Sequence, residues 1–187
     1  MKALSLFFSL FAAILIAMPA MAQDKYFTKD GTISFFSATS MEDIEAANNK
    51  VTSVIEKSTG KIEFAVLMKG FTFEKALMQE HFNENYVESD KYPKTTFKGT
   101  VTDLSGVNFS KDGVYNVTVS GDMTMHGVTK PVTAKGTIEV KGVNLVAKST
   151  FKVLLSDYNI KIPDVVKDNI SKAIEIKVSM PYKPLVK

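Results

Sequence analysis

The sequence predicts an all-β protein of about eight to ten antiparallel strands, arranged as a sandwich or a closed barrel. Apolar and polar residues alternate with period two over most of the chain, which is typical of strands with one buried face. Short polar turns that contain glycine separate several of the alternating runs, as in antiparallel hairpins. The strand–helix–strand rhythm of a parallel sheet is missing from the sequence pattern.

The strand prediction is clearest at VYNVTVSGDMTM, residues 114–125. Tyr115, Met123 and Met125 share one parity with the other apolar residues of this run, so they are expected on one face. The run at 143–155 shows the same alternation and places Val143 on its apolar face. In chain order the predicted strands are 32–37, 50–56, 61–68, 96–103, 114–125, 128–140, 143–155 and 173–180.

Two segments interrupt the alternation and predict helices. Residues 74–84 contain good helix formers, and apolar residues recur there at helical spacing. Residues 164–171 follow Pro163, which suits the start of a helix. We expect one or two short helices that cover an end of the strand assembly.

The first 22 residues are expected to be a cleaved signal peptide. Lys2 gives a positive start, residues 4–18 are almost entirely apolar, and the tripeptide AMA at 20–22 has the spacing of a cleavage site. The apolar stretch is short for a spanning helix, so an uncleaved membrane anchor is the less favoured alternative. We therefore predict a signal peptide at 1–22 and one mature domain at 23–187.

Composition excludes several classes of function. The chain has no cysteine, so packing alone must stabilise it in an oxidising compartment. All 23 basic residues are lysines and the formal net charge is only +3. Nucleic-acid binders normally use arginine forks, so we expect no nucleic-acid partner. The sequence also lacks a nucleophile elbow, a P-loop and a dinucleotide-binding loop, so we expect neither an enzyme nor a cofactor.

The inward-facing apolar residues are the candidates for a binding surface. Alternation alone does not decide whether they line a cavity or fill a solid core, because both arrangements show the same pattern. The candidates are Phe35, Phe64, Val66, Met68, Phe97, Val117, Val119, Met123, Met125, Ile138, Leu145, Phe151, Ile176 and Val178.

The two histidines raise the question of a metal site. His126 directly precedes Gly127, so it is expected at a turn on the rim, where an imidazole can bond backbone groups or water. The alternative is a Cu(I) site, because thioethers and imidazoles suit soft copper. Such a site would use Met78, His81, Met123 and His126.

The stretch GDMTMHGVTKPV at 121–132 contains His-Gly-Val-Thr-Lys after a short apolar strand. It resembles the hallmark of the YceI-like family, which contains that pentapeptide. The loop YVESDKYPKTTFKG at 86–99 resembles the family as well. So does a late set of residues, namely Phe151, Val153, Asp157 and Tyr158.

The resemblance implies an antiparallel, lipocalin-like β-barrel of about eight strands in the bacterial periplasm. It also implies that the barrel holds a long amphiphile. This would be a polyisoprenoid, such as a polyprenyl quinone or polyprenyl phosphate, or a fatty-acid-like chain. The resulting expectation is a lipid-binding protein for transport or storage that does not span the membrane, with a second copy of the chain in a homodimer as a candidate partner.

Overall fold

A computed structural model describes residues 24–185, and the predicted signal peptide lies outside these residues. Eight long antiparallel strands make up most of the described chain. They are β1 (Lys25–Ala38), β2 (Asp43–Glu56), β3 (Lys61–Leu67), β5 (Lys94–Val101), β6 (Gly113–Met125), β7 (Val128–Lys141), β8 (Asn144–Leu154) and β9 (Ala173–Pro184), with a two-residue strand, β4 (Thr72–Phe73), between β3 and β5.

The eight long strands close into a barrel. The sheet runs in the order β1–β9–β8–β7–β6–β5–β3–β2, and β1 pairs with β2 as well as with β9. Each long strand therefore has a hydrogen-bonded neighbour on both sides, which removes exposed strand edges. The short β4 pairs only with β2, outside this closed ring. Of the two architectures that the alternation left open, the chain adopts the barrel.

The connections differ in length between the two ends of the barrel. At one end, named here the open end, lie the two longest connections, residues 68–93 and 155–172. The turns at 39–42 and 126–127 lie at the same end, because the strands are antiparallel. The opposite end, named here the closed end, carries the turns after β2 and β7 and the loop at 102–112. The segments that interrupt the strand pattern are thus gathered at the open end.

The predicted helix at 74–84 is present in a modified form. An α-helix, α1, spans Ala76–His81, and a wider turn over Phe82–Tyr86 continues it. In this turn the amide of Val87 donates to the carbonyl of Phe82 at 3.0 Å, an i→i+5 bond. Lys75 is extended, so the helix begins two residues later than the pattern predicted.

The prediction of a second helix, at 164–171, is wrong. Only Asp164–Val166 forms a single 3₁₀ turn, followed by an i→i+3 bond from the amide of Asn169 to the carbonyl of Val166 at 3.0 Å. A single helical turn fixes several residues for one hydrogen bond, and the adjacent β-branched valines add to this cost. Val143 is a second correction. It lies in the turn before β8, 71% exposed, and not on the inward face.

The turn between β6 and β7 requires two positive backbone angles. His126 has a φ of +50° and Gly127 a φ of +74°. Positive φ at both central residues is the geometry of a type I′ turn, which matches the twist of the two strands that it joins. The strand therefore ends at Met125, and the His126 side chain leaves the regular alternation of β6.

Candidate ligand-binding cavity

An apolar cavity of about 250 Å³ occupies the open end of the barrel. It is larger than the cavity of about 150 Å³ that is known to bind benzene, so it has room for a hydrocarbon segment. Most of its lining is aliphatic, aromatic or thioether. The lining side chains with oxygen or nitrogen atoms, within residues 24–185, are Ser37, Glu42, His81, Tyr86, Thr95 and Asn169.

Two stacked phenylalanine rings form the floor of the cavity. The rings of Phe64 and Phe97 lie 5.0 Å apart and 15° from parallel, and Phe64 lines the cavity above Phe97. The ring of Phe97 occupies the space over two inward-facing glycines. A Cβ atom at Gly99 would lie 2.5 Å from Cζ of Phe97, and one at Gly121 would lie 2.8 Å from it. The missing side chains at these positions allow one aromatic ring to close the tube from below.

A cluster of phenylalanines, named here the phenylalanine cluster, holds the helical segment on the barrel. The ring centroid of Phe35 on β1 lies 5.4 Å from Phe71, 5.6 Å from Phe73 and 5.5 Å from Phe82. All four rings also line the cavity. Contacts between tilted or stacked rings at such distances stabilise packing beyond simple burial. The helical segment is thereby part of the cavity wall.

The mouth of the cavity lies between the turn at 39–42, the helix α1 and the loop at 163–170. Glu42 links all three segments. Its Oε2 accepts a hydrogen bond from the side-chain amide of Asn169 at 3.2 Å, and its Oε1 lies 3.4 Å from Nζ of Lys75. The hydrogen bond from Asn169, followed by the interaction with Lys75, lowers the pKa of the Glu42 carboxyl below its usual value. Glu42 is therefore held as a carboxylate at the mouth.

The structure places nine of the fourteen candidate residues in the cavity wall. They come from five of the barrel strands and from the turn after β3. These nine are Phe35, Phe64, Val66, Met68, Met123, Met125, Phe151, Ile176 and Val178.

The other five candidates lie outside the cavity wall, because the closed half of the barrel is packed with side chains. Phe97 lies beneath the floor, as described above. Val117, Ile138 and Leu145 are buried in the core of the closed half, and Val119 packs against that core. A buried hydrogen bond between the hydroxyls of Ser53 and Tyr182, 2.6 Å long, also fills this half. The interior is thus hollow at one end and solid at the other.

Several wall residues were not among the candidates. Phe82 comes from the predicted helix at 74–84, Phe71 and Phe73 directly precede that helix, and Glu42 and Asn169 come from loops. The density of phenylalanines in residues 71–82 was a usable signal, because aromatic side chains in a segment that covers the barrel are expected to pack against it. No local pattern marked Glu42 or Asn169, which meet only in the folded chain.

The side chain of His126 forms contacts with both long connections of the open end, residues 68–93 and 155–172. Its Nδ1 donates to the backbone carbonyl of Tyr158 at 2.9 Å, and its Nε2 lies 2.7 Å from Oε2 of Glu88. The ring of Tyr92 packs edge-on against the imidazole, with centroids 4.6 Å apart. The His126 side chain is only 10% exposed. This histidine therefore binds neighbouring loops together.

These contacts argue against the Cu(I) site that was considered from the sequence. Met78, His81 and Met123 line the cavity, but both ring nitrogens of His126 already have partners in the surrounding loops. Among residues 24–185, no group of three or more His, Cys, Asp or Glu side chains is arranged to hold a metal ion. His126 is thus engaged outside the cavity that the other three residues line.

None of the helices within the described part of the chain combines the length and the apolar content needed to cross a bilayer.

Solved structures with the same fold include two bacterial proteins. A polyisoprenoid binding domain from Saccharophagus degradans superposes with a TM-score of 0.75 at 11% identity, over 87% of this chain and 99% of that one. BcnA from Burkholderia cenocepacia gives a TM-score of 0.67 at 16% identity, over 80% of this chain and 94% of its own. At these identities the likeness establishes the barrel fold.

Curated relatives are also similar in sequence. A UPF0312 protein of Pseudomonas putida (strain GB-1) is 29% identical over 99 residues, or 50% of this chain and 48% of the relative. The chain thus matches about half the length of this relative. A UPF0312 protein of Pseudomonas fluorescens (strain Pf-5) is 27% identical over 143 residues, 70% of each chain. The family model of the YceI-like domain matches residues 24–182, which cover seven strands of the barrel in full and β9 as far as Tyr182, and the chain therefore belongs to the YceI-like family.

Proposed function

We propose that the protein binds the hydrocarbon chain of an amphiphilic lipid inside the open half of the barrel. The observation that carries this proposal is the cavity itself, which is enclosed by a complete barrel, apolar in its depth and open at one end. Water in such a space finds few hydrogen-bond partners, whereas a hydrocarbon chain gains about 25 cal/mol for each Å² of apolar surface removed from water.

The ligand that we propose is a polyisoprenoid, such as a polyprenyl quinone or a polyprenyl phosphate, or else a fatty-acid-like chain. The polyisoprenoid binding domain with the same fold supports this class. We further propose that the protein works in the periplasm, by binding for transport or storage and not by catalysis, and that residues 1–22 direct it there.

The nine candidates in the wall would contact the chain. Three of them, Met68, Met123 and Met125, are methionines, whose unbranched side chains adapt to a flexible ligand. The cavity volume lies just below the range of about 300–1,000 Å³ that is usual for small-molecule pockets. A long polyisoprenoid would therefore fill the cavity with one end and leave the rest of its length at the mouth.

Native mass spectrometry of the protein purified from its own cells, combined with organic extraction, tests the proposal. We expect a bound species with the mass of an isoprenoid or acyl lipid. A bare protein mass, no lipid in the extract and no uptake of an added polyprenyl quinone would contradict it.

A further inference from the structure

The polar side chains that line the cavity all come from the segments at or next to its open end. Two lining hydroxyls are already engaged. Ser37 accepts a hydrogen bond from the amide of Ser171 at 2.9 Å, and Thr95 donates to the sulfur of Met68 at 3.2 Å. Glu42, His81, Tyr86 and Asn169 are the remaining lining residues that offer oxygen or nitrogen atoms.

Glu42 is the one carboxylate among the lining side chains within residues 24–185, and none of these side chains is a lysine. The chain contains no arginine. Lys75 meets Glu42 but is not part of the lining, and its side chain is 64% exposed. An anionic head group entering the mouth would therefore face a carboxylate without a lysine or arginine in the cavity wall.

The segments around the mouth strengthen this field. Residues 39–43, 74–81 and 161–172 carry six carboxylates and four lysines, although the whole chain has a formal net charge of +3. A local excess of one sign at an opening lowers the concentration of like-charged ligands there. The carboxylates are Glu42, Asp43, Glu74, Glu80, Asp164 and Asp168.

The same side chains suit an uncharged oxygen head group. Tyr86 can donate a hydrogen bond through its hydroxyl, and burial raises its pKa, so the phenol stays neutral. The Asn169 amide is a second donor, and the Glu42 carboxylate is an acceptor for a hydroxyl. Such a set can bond a quinone carbonyl or an alcohol, whereas a phosphate needs cationic partners.

We infer that the cavity selects lipids with an uncharged head group, a quinone or an isoprenol, and rejects polyprenyl phosphates and fatty acids, with Glu42 as the discriminating residue. This inference rests on the proposed function, because it chooses among the lipids that the apolar cavity would accept.

Two short probes with the same hydrocarbon chain, geraniol and geranyl monophosphate, test the inference, because the whole chain can enter the cavity and leave its head group at the mouth. Their affinities are measured by displacement of the uncharged dye Nile red from the wild-type protein. We expect the phosphate to bind at least about tenfold more weakly than the alcohol, which is the order expected for like charges a few ångströms apart near a protein surface.

Three variants separate the charge of Glu42 from its role in linking the mouth. Glu42→Gln should bring the two affinities to within about threefold of each other, because the repulsion is removed. Glu45→Gln is the matched control, since Glu45 is exposed on β2, three residues after Glu42, and does not line the cavity. Lys75→Met breaks the interaction with Glu42 but keeps the charge of Glu42, and Lys75 does not line the cavity. Both Glu45→Gln and Lys75→Met should keep at least the wild-type discrimination.

The outcomes distinguish the two proposals. Binding of the alcohol together with equal or tighter binding of the phosphate would overturn the inference alone. An unchanged discrimination in Glu42→Gln, with its fold verified by circular dichroism, would overturn it as well. Failure of both probes to bind the wild-type protein would overturn the lipid-binding proposal and this inference with it.

Discussion

The imidazole Nε2 of His126 lies 2.7 Å from a carboxylate oxygen of Glu88, and both residues have positive φ angles, +50° and +45°. The other ring nitrogen, Nδ1, donates a hydrogen bond to the backbone carbonyl of Tyr158. The next residue, Asn159, also has a positive φ, +56°. These three are the non-glycine residues with positive φ within residues 24–185. Such conformations cost free energy and persist where surrounding contacts hold them. The histidine of the family-like motif is therefore the centre of a strained junction between three loops.

Replacement of His126 by alanine should lower the free energy of unfolding by about 2–4 kcal/mol, because two hydrogen bonds of a nearly buried side chain are lost. Urea denaturation measures this change. Glu88→Gln keeps an acceptor for the imidazole and should cost about half as much. A loss below about 0.5 kcal/mol in His126→Ala, the range of an ordinary surface substitution, would show that the junction does not stabilise the fold.

Gly127→Ala should destabilise the protein more than Gly142→Ala. Both glycines have positive φ, +74° and +57°, which costs an alanine about 1–2 kcal/mol. An added Cβ at Gly127 would also lie 2.6 Å from a ring carbon of Tyr92, whereas no atom lies within 4 Å at Gly142. We expect about 3 kcal/mol or more for the first variant and about 1–2 kcal/mol for the second, measured by urea denaturation. Equal losses would mean that the Tyr92 ring moves freely.

Met125→Lys should reduce the lipid that co-purifies with the protein by about tenfold or more, because it introduces an ammonium group into an apolar wall. Thr124→Lys is the matched control. Thr124 is the preceding residue on β6, outside the lining, and its hydroxyl bonds Thr129. Lipid extraction and mass spectrometry, normalised to protein, compare the two variants. Unchanged lipid in Met125→Lys would contradict contact between Met125 and the chain.

Phe97→Ala should deepen the cavity and shift the bound lipids toward longer chains, because the floor loses its lower ring. The same change should lower the free energy of unfolding by about 3–5 kcal/mol, as is usual for the truncation of a buried phenylalanine. Native mass spectrometry with a series of isoprenols of increasing length measures the preference. Ile138→Val, a milder change in the packed half, should leave the preference unchanged. A preference unaltered by Phe97→Ala would show that the depth of the cavity is not set by this ring.

The contacts of Glu42 predict a pH dependence at the mouth. Its pKa is lowered in the folded protein by the hydrogen bond from Asn169 and by Lys75. The stabilising contribution is therefore complete above the ordinary glutamate pKa of about 4.3 and is lost as the pH falls through the lower folded value. Carboxyl chemical shifts in an NMR titration should place Glu42 below ordinary glutamates, and Asn169→Ala should move it back toward them. An ordinary value in the wild-type protein would indicate that the mouth contacts are absent in solution.

The barrel was predictable from the sequence because its signal is local. Each of the eight predicted strands corresponds to a strand of the barrel, since period-two alternation depends only on residues close in the chain. The helix at residues 74–84 had a local signal too. Closure by the pairing of β1 with β2 and β9 was left open beside a sandwich, because it depends on partners far apart in sequence.

The boundary between hollow and solid interior was not predictable in this way. Phe97 and Met123 sit directly opposite each other on β5 and β6, yet only Met123 reaches the cavity. The difference arises from the space over Gly99 and Gly121, into which the Phe97 ring turns. The prediction of a helix at 164–171 was wrong for a related reason. The segment is short, and its conformation depends on contacts with distant residues, such as the hydrogen bond from Asn169 to Glu42.

A barrel that is packed at its closed end and hollow at its open end imposes an orientation on the bound lipid. In the binding mode proposed here, a lipid goes in tail first and comes out head first, so its head group always faces the solvent side of the mouth. The membrane or protein that supplies the lipid and the one that receives it would then have to approach the same face of the barrel. Loading and delivery become two successive encounters, and a complex with donor and acceptor together at that face would be sterically excluded.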